Sequence, residues 1–207
     1  MKKIVLDLKS GKVDYIEASF PTIDENEIII QSVLSILSVG TEKMLLNFGK
    51  SNPIQKIKSQ PDKFKLVLEK IKTDGFLETS RAVKSKLDVP IALGYSNVGK
   101  VLESKSPYFK KGDLVVSNSS HSDINIANHS LVAKIPNNVS NENAVFTVLA
   151  SISLHGIRLS KPQIGEKVLV VGLGLIGLIT CKLLQANGCY VIALDIDKER
   201  CKKASNM

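Results

Sequence analysis

Aromatic residues are scarce in this chain of 207 residues: they make up 5% of it, and tryptophan is absent. Only Phe64 and Phe76 interrupt its most lysine-rich stretch, so no platform on which bases could stack is evident and nucleic acid is not expected as a partner. Cysteine is equally sparse. Cys181, Cys189 and Cys201 lie eight and twelve residues apart with no C-x-x-C pair. That spacing excludes a zinc knuckle and a dithiol redox motif. The three read as reduced, mostly buried thiols of a cytoplasmic protein. No apolar run reaches the ~18 residues of a membrane span, so no membrane partner is expected. The opening MKKIVLDLKS is interrupted by Asp7 and Lys9, which suits a first strand and not a signal peptide.

What is present is a moderately apolar chain, 43% hydrophobic, with a net charge of +8. The charge is unevenly spread. Between Lys50 and Pro90 ten Lys and Arg face five Asp and Glu, so more than half of the excess sits in one segment. Within it Phe64, Val67, Leu68 and Ile71 recur at helical spacing with lysines between them, and Gly75 follows as a stop. A second helix is expected over 77–87. The rest of the first half reads as strands: 2–7 and 12–18 joined by a Lys9-Ser10-Gly11 turn, the β-branched run at 27–36, then 97–103, 114–117, 124–127 and 131–135. Many short strands with turn signals predict a small barrel. From Ser140 the pattern turns helical through 144–159.

Residues 167–207 are the most informative. Val168–Val171 is an unbroken apolar run, as a parallel strand buried on both faces should be. Gly172-Leu173-Gly174-Leu175-Ile176-Gly177 follows at once and opens a helix over 175–187. Tyr190–Leu194 is a second apolar strand, ending in Asp195, twenty-three residues after Gly172. In this order Gly172 permits the tight turn, Gly174 lets a pyrophosphate approach the backbone, and Gly177 lets helix and strand pack closely. The helix start at Leu175 and Ile176 presents N–H groups and partial positive charge to phosphate. The Asp195 carboxylate suits the ribose hydroxyls and repels a 2′-phosphate, which favours NAD. Lys198 and Arg200 leave NADP open.

This order of parts resembles the medium-chain dehydrogenase/reductase superfamily, in which a GroES-like β-barrel precedes a Rossmann domain. Gly112-Asp113-Leu114-Val115-Val116 resembles the family's Gly-Asp-x-Val strand entry. Leu131–Pro136 with Ser140–Ala144 resembles its LVKIPDNLSFEEAA passage, and Ser153-Leu154-His155-Gly156 its helix before the Rossmann strand. Further, SVGTEKMLLNFGK and ALGYSNVGKVLE look like the bi-domain oxidoreductases, whose zinc-free dehydrogenase half is fused to a glucose-fructose-oxidoreductase-like half and which tend to be associated with bacterial surface-polysaccharide synthesis. The resemblance implies mixed α/β and mostly-β architecture: a GroES-like domain over 1–150, with a helical insertion at about 50–90, and an incomplete Rossmann domain over 151–207. It also implies a truncated chain, inactive alone, whose full-length form is a homo-oligomer.

Zinc-dependent members carry a cysteine where this chain has Val39, and a Gly-His-Glu where it has Gly94-Tyr95-Ser96. Near Thr147–Ala150, where a third ligand would fall, there is no Cys, His or acid. No metal is therefore expected, since zinc needs three or four converging ligands. By resemblance Thr41 matches a proton-relaying hydroxyl and Tyr95 faces the same site, where a phenol could donate to a developing alkoxide. The competing readings are a turn hydroxyl for Thr41, a wall aromatic for Tyr95 and a first-turn helix acid for Glu42. His121 and His129 read as solvated loop residues and His155 as a core residue.

The function expected is zinc-independent, NAD(P)-dependent hydride transfer to or from a small alcohol or carbonyl compound, sugar-derived by resemblance, or a quinone- or enoyl-reductase variant of it. The alternative is a non-catalytic dinucleotide-binding or assembly module that docks through Lys63, Lys65 and Lys70.

Overall fold

The computed structural model describes residues 1–52 and 88–207, with isolated positions between them. Most of the two basic helices expected, one carrying Phe64, Val67, Leu68 and Ile71 and one over 77–87, lies outside the described residues, Lys63, Lys65 and Lys70 included. The chain divides into two compact units, Met1–Pro136 and Asn137–Met207. The helical segment that starts at Ser140 thus belongs to the second unit, and the break falls before the expected 150.

The first unit is built from antiparallel sheets. Strands β1 (Lys2–Leu6), β2 (Val13–Glu17) and β4 (Ile91–Ala92) form one, in the order β2-β1-β4. Strands β3 (Glu27–Ser35), β5 (Asn97–Ser104), β6 (Leu114–Ser117), β7 (Ile124–Asn128) and β8 (Val132–Lys134) form the other, in the order β7-β3-β5-β6-β8. Helix α1 (Thr41–Lys50) follows β3. The run EIIIQ explains the position of β3. With strands on both sides, Ile28, Ile29 and Ile30 are at most 1% exposed, and each such side chain contributes up to about 3 kcal/mol of burial. Ile28 and Ile30 pack with Val101, Val115 and Ala127 as the centre of the core. Backbone bonds from Ile4 N–H to the His121 carbonyl (2.9 Å) and from Asp123 N–H to the Lys2 carbonyl (3.1 Å) tie the small sheet to the large one.

The second unit opens with two helices in succession, the one-turn α2 (Asn141–Ala144) and the longer α3 (Thr147–Ser160). Ser140 caps the first, its hydroxyl accepting from Asn143 N–H at 3.3 Å. Then come β9 (Lys167–Val171), α4 (Leu175–Ala186), β10 (Tyr190–Leu194) and α5 (Lys198–Ser205). Strands β9 and β10 pair in parallel, Leu194 against Val171, with α4 as the crossover between them. Leu173, Leu184, Val170, Cys181, Cys189 and Ile157 form this unit's core. The three cysteines are unbridged; Cys181 and Cys189 are buried, and burial pushes the Cys181 thiol up from its ordinary value. Among the described residues no helix is long and apolar enough to cross a membrane.

Candidate functional site

The glycine turn of the second unit has the geometry its spacing predicts. Gly172 sits at φ +93°, a backbone conformation that side chains resist, and its N–H donates to the Leu194 carbonyl at 2.7 Å. The turn between β9 and α4 is thereby closed onto the end of β10. A Cβ on Gly177 would lie 1.9 Å from the Gly172 carbonyl oxygen, so only glycine lets the helix come this close. Gly174 differs: a Cβ there meets nothing within 4 Å. The space in front of the helix start is free, and no side chain caps α4. The first intrahelical bond runs from Leu178 N–H to the Gly174 carbonyl at 2.9 Å, so the N–H groups of Leu175, Ile176 and Gly177 precede the helix ladder and face outward as donors. Leu175 and Ile176 are themselves 43% and 36% exposed. Bare donors, open space in front of Gly174 and the positive end of a helix dipole fit a dinucleotide's pyrophosphate.

Asp195 completes this site. Its Oδ2 accepts the Leu173 N–H at 2.7 Å and its Oδ1 accepts the Asp197 N–H at 2.8 Å. Its side chain is 4% exposed. The Asp197 N–H, then the Leu173 N–H and the nearby Arg200 guanidinium, hold its carboxyl below the ordinary aspartate value. Arg200 lies 3.6 Å from Asp195 and 3.6 Å from Asp197. The acid that would meet a ribose is thus fixed to the same turn that would meet the pyrophosphate.

The catalytic candidates of the first unit lie on two segments, the start of α1 and the turn between β4 and β5. Thr41 is its exposed first residue, and its N–H donates to Ser38 Oγ at 3.2 Å. The hydroxyl that caps this turn belongs to Ser38, which leaves the Thr41 hydroxyl outside that bond. Glu42 accepts the Ser38 N–H at 2.8 Å, as a first-turn acid should. Tyr95 is half-buried in the turn between β4 and β5, and Ser96 beside it is fully buried. Val39, at the position of the family's metal-binding cysteine, is 77% exposed. Among the described residues no three His, Cys, Asp or Glu side chains converge as a metal site requires.

Two histidines depart from expectation. His121 is buried, 5% exposed. Its Nε2 lies 3.3 Å from both Glu42 carboxylate oxygens and its Nδ1 2.8 Å from Ser35 Oγ. Gly94 explains how it fits: at φ +89°, a Cβ there would meet the His121 backbone N at 2.6 Å and its ring at 2.7 Å. A polar sequence neighbourhood suggested solvent, but the loop folds inward under α1. His155 is exposed on α3 instead of packed in a core. His129 is half-buried, 3.0 Å from Ser106 Oγ and edge-on to Tyr108. Below the His121 loop Ser32, Asn97 and Asn125 form a buried polar network, with Asn97 and Asn125 both donating to Ser32 Oγ at 2.9 and 3.1 Å. Sequence reasoning found neither the His121–Glu42 pair nor this network, because its members lie up to 93 positions apart.

No family model matches the chain. Over 78 residues it is 32% identical to (R,R)-butanediol dehydrogenase of Bacillus subtilis, a match covering 37% of this chain and 22% of that protein. Over 115 residues it is 34% identical to D-guloside 3-dehydrogenase of Escherichia coli, covering 53% and 33% respectively. Among solved structures, the Escherichia coli quinone oxidoreductase complexed with NADPH superposes with a TM-score of 0.69 at 18% identity, over 100% of this chain and 56% of that one. The chain therefore spans a third or less of these curated relatives' length. Its fold is that of solved quinone oxidoreductases and alcohol and butanediol dehydrogenases, an antiparallel β unit followed by a parallel βαβ unit. Its relatives in sequence are named dehydrogenases.

Proposed function

We propose that this chain carries the dinucleotide-binding and carbonyl-facing elements of an NAD-dependent oxidoreductase that works without zinc. The observation that carries the reading is the glycine turn: Gly177 packed too tightly for any side chain, Gly174 open in front of the helix start, and Asp195 anchored to the same turn. The bound dinucleotide would supply the hydride acceptor or donor. The N–H groups of Leu175, Ile176 and Gly177 would hold its pyrophosphate, and Asp195 its ribose.

The residues at the zinc-ligand positions support the zinc-free part. A valine, a tyrosine and a serine supply no thiolate, imidazole or carboxylate to a metal. In place of a Lewis acid, the hydroxyls of Thr41 and Tyr95 would hydrogen-bond the oxygen on which charge develops. The relatives' names, a butanediol and a guloside dehydrogenase, support a small diol or a sugar hydroxyl as the substrate class.

The test is direct binding. The chain has no tryptophan, so the dinucleotide's own fluorescence is the reporter. Titration with NADH is expected to saturate, and an excess of chelator is expected to leave the curve unchanged. Failure of NADH and NADPH alike to bind overturns the reading, and loss of binding with chelator overturns its zinc-free part. In a longer chain that turns over an oxidisable diol, Tyr95→Phe is expected to lower kcat about a hundredfold, as loss of one donor to a developing oxyanion does, with NADH affinity unchanged.

A further inference from the structure

The two hydroxyls that would act on the substrate oxygen come from separate segments. Thr41 opens α1, and Tyr95 lies in the turn between β4 and β5. One buried residue meets both segments. On one side, His121 Nε2 lies 3.3 Å from each carboxylate oxygen of Glu42, the neighbour of Thr41, and the two side chains are 5% and 9% exposed. Glu42 also accepts the Ser38 N–H at 2.8 Å, while Ser38 Oγ accepts the Thr41 N–H at 3.2 Å. A carboxylate this deeply buried needs its donors, so the imidazole and the Ser38 N–H hold the first turn of α1 from two directions. On the other side, the His121 backbone N–H donates to the Leu93 carbonyl at 2.7 Å. Gly94 lies so close that a Cβ there would meet the His121 backbone N at 2.6 Å and the ring Cγ at 2.7 Å. Tyr95 is the next residue. The second ring nitrogen, Nδ1, is 2.8 Å from Ser35 Oγ at the end of β3. Ser35 pairs across the sheet with Asn97, two residues beyond Tyr95.

We propose that His121 is the positioning residue of this site: it spaces the Thr41 segment against the Tyr95 segment, so that both hydroxyls serve one substrate oxygen. The inference rests on the oxidoreductase reading above. Two hydroxyls on separate segments stabilise one developing charge only if their spacing is set in advance. The chemistry of the imidazole suits that task. A carboxylate only accepts, so Nε2 carries its proton toward Glu42; a serine hydroxyl donates and accepts, so Nδ1 has a partner in either protonation state. With both nitrogens engaged, the ring cannot turn without breaking both contacts. Gly94 closes the side toward Tyr95, because any side chain there would push the ring away from Glu42.

The chain has four tyrosines, so tyrosine-selective isotope labelling gives a simple NMR spectrum in which Tyr95→Phe identifies the Tyr95 ring signals. Substitutions are made on the Thr41 side and read on the Tyr95 side. Glu42→Met keeps the length of the side chain and removes the acceptor. It is expected to shift the Tyr95 signals and to leave those of Tyr108, in the same unit, and Tyr190, in the other, in place. In a His121→Phe chain the same substitution is expected to add nothing, because the link is already cut. His121→Gln keeps a donor toward Glu42 and is expected to return the Tyr95 signals toward the wild type. Tyr95 signals unmoved by Glu42→Met, or displaced as far by His121→Gln as by Glu42→Met, overturn the proposal; these two variants decide it even if His121→Phe fails to fold. In a longer chain that turns over an oxidisable diol, His121→Phe is expected to lower kcat about a hundredfold, the scale for a misplacement of about 1 Å. The KM for NAD is expected to stay unchanged, and His121→Gln to restore most of kcat. An unchanged kcat, or a rise in KM alone, overturns the positioning role. The spectra require no dinucleotide, so the link between the segments is read separately from the oxidoreductase reading. Failure of NADH and NADPH to bind removes that reading and the catalytic purpose of His121 with it.

Discussion

At the scale of single residues, the three glycines of one motif make different demands and can be separated by experiment. Gly177→Ala drives a methyl into the Gly172 carbonyl oxygen. It is expected to cost stability by about 1–3 kcal/mol, the range for overpacking, and to lower the Tm in calorimetry. Gly174→Ala meets no atom within 4 Å. Its stability is expected to change by about 1 kcal/mol or less through the weaker N-cap, while NADH affinity falls more than tenfold because the methyl occupies the phosphate's place. Equal losses of stability in the two variants would contradict the packing described here. Asp195 makes a prediction in pH. Its folded-state value is depressed by the Asp197 and Leu173 N–H groups and by Arg200. It therefore contributes stability that is complete above the ordinary aspartate value of about 4 and is lost as pH falls through the lowered value. Asp195→Asn is expected to be less stable than the wild type at neutral pH and to converge with it in acid unfolding curves.

At the scale of elements, helix α1 is tied down from its first turn. The Glu42 carboxylate takes the Ser38 N–H on one side and His121 on the other, and both are nearly buried. His121→Ala would leave a buried carboxylate short of a partner, a loss on the order of 1–3 kcal/mol. The loosened helix start is expected to expose the amides of Glu42 and Met44 to faster hydrogen exchange. Gly94→Ala should reproduce that loss from the opposite side, by pushing the imidazole out; exchange unchanged in both variants would show that α1 does not depend on the pair. Local signals made the elements themselves legible. The EIIIQ run, the Ser140 cap and the Gly172–Gly177 spacing each encode their structure within a few residues, and Tyr190–Leu194 forms the strand expected of it. The His121–Glu42 pair was not legible. Seventy-nine residues separate its members, and nothing in the polar run around His121 reveals that a glycine far upstream in sequence makes room for its ring.

At the scale of the whole molecule, the residues proposed for pyrophosphate and ribose are close together in the sequence. Every residue named for them lies between Gly172 and Arg200, on one βαβ unit and its following helix. This is why sequence spacing sufficed to propose them. Thr41 and Tyr95, by contrast, come from the other compact unit and owe their assignment to resemblance more than to spacing. Their surroundings, the capped α1 turn and the Gly94 turn, emerge only when β3, β4 and β5 are assembled. The overall order of a mostly-β unit followed by a parallel βαβ unit was readable because hydrophobic runs change from short and punctuated to continuous at Val168. The boundary was not, because the apolar helix over 147–160 carries no signal of which unit it packs with.

The thiols give the chain a reporter of its own. Cys181 on α4 and Cys189 just after it are buried in the core of the second unit, and burial disfavours the reactive thiolate of Cys181. Cys201 alone of the three is partly exposed, and its Sγ donates to the backbone carbonyl of Asp195 at 3.5 Å. A thiol-reactive dye should therefore label the native chain at one place, one helical turn from the cap of α5 and on the doorstep of the ribose acid. Protection of that single cysteine by NADH would read occupancy of the site without any substrate in hand.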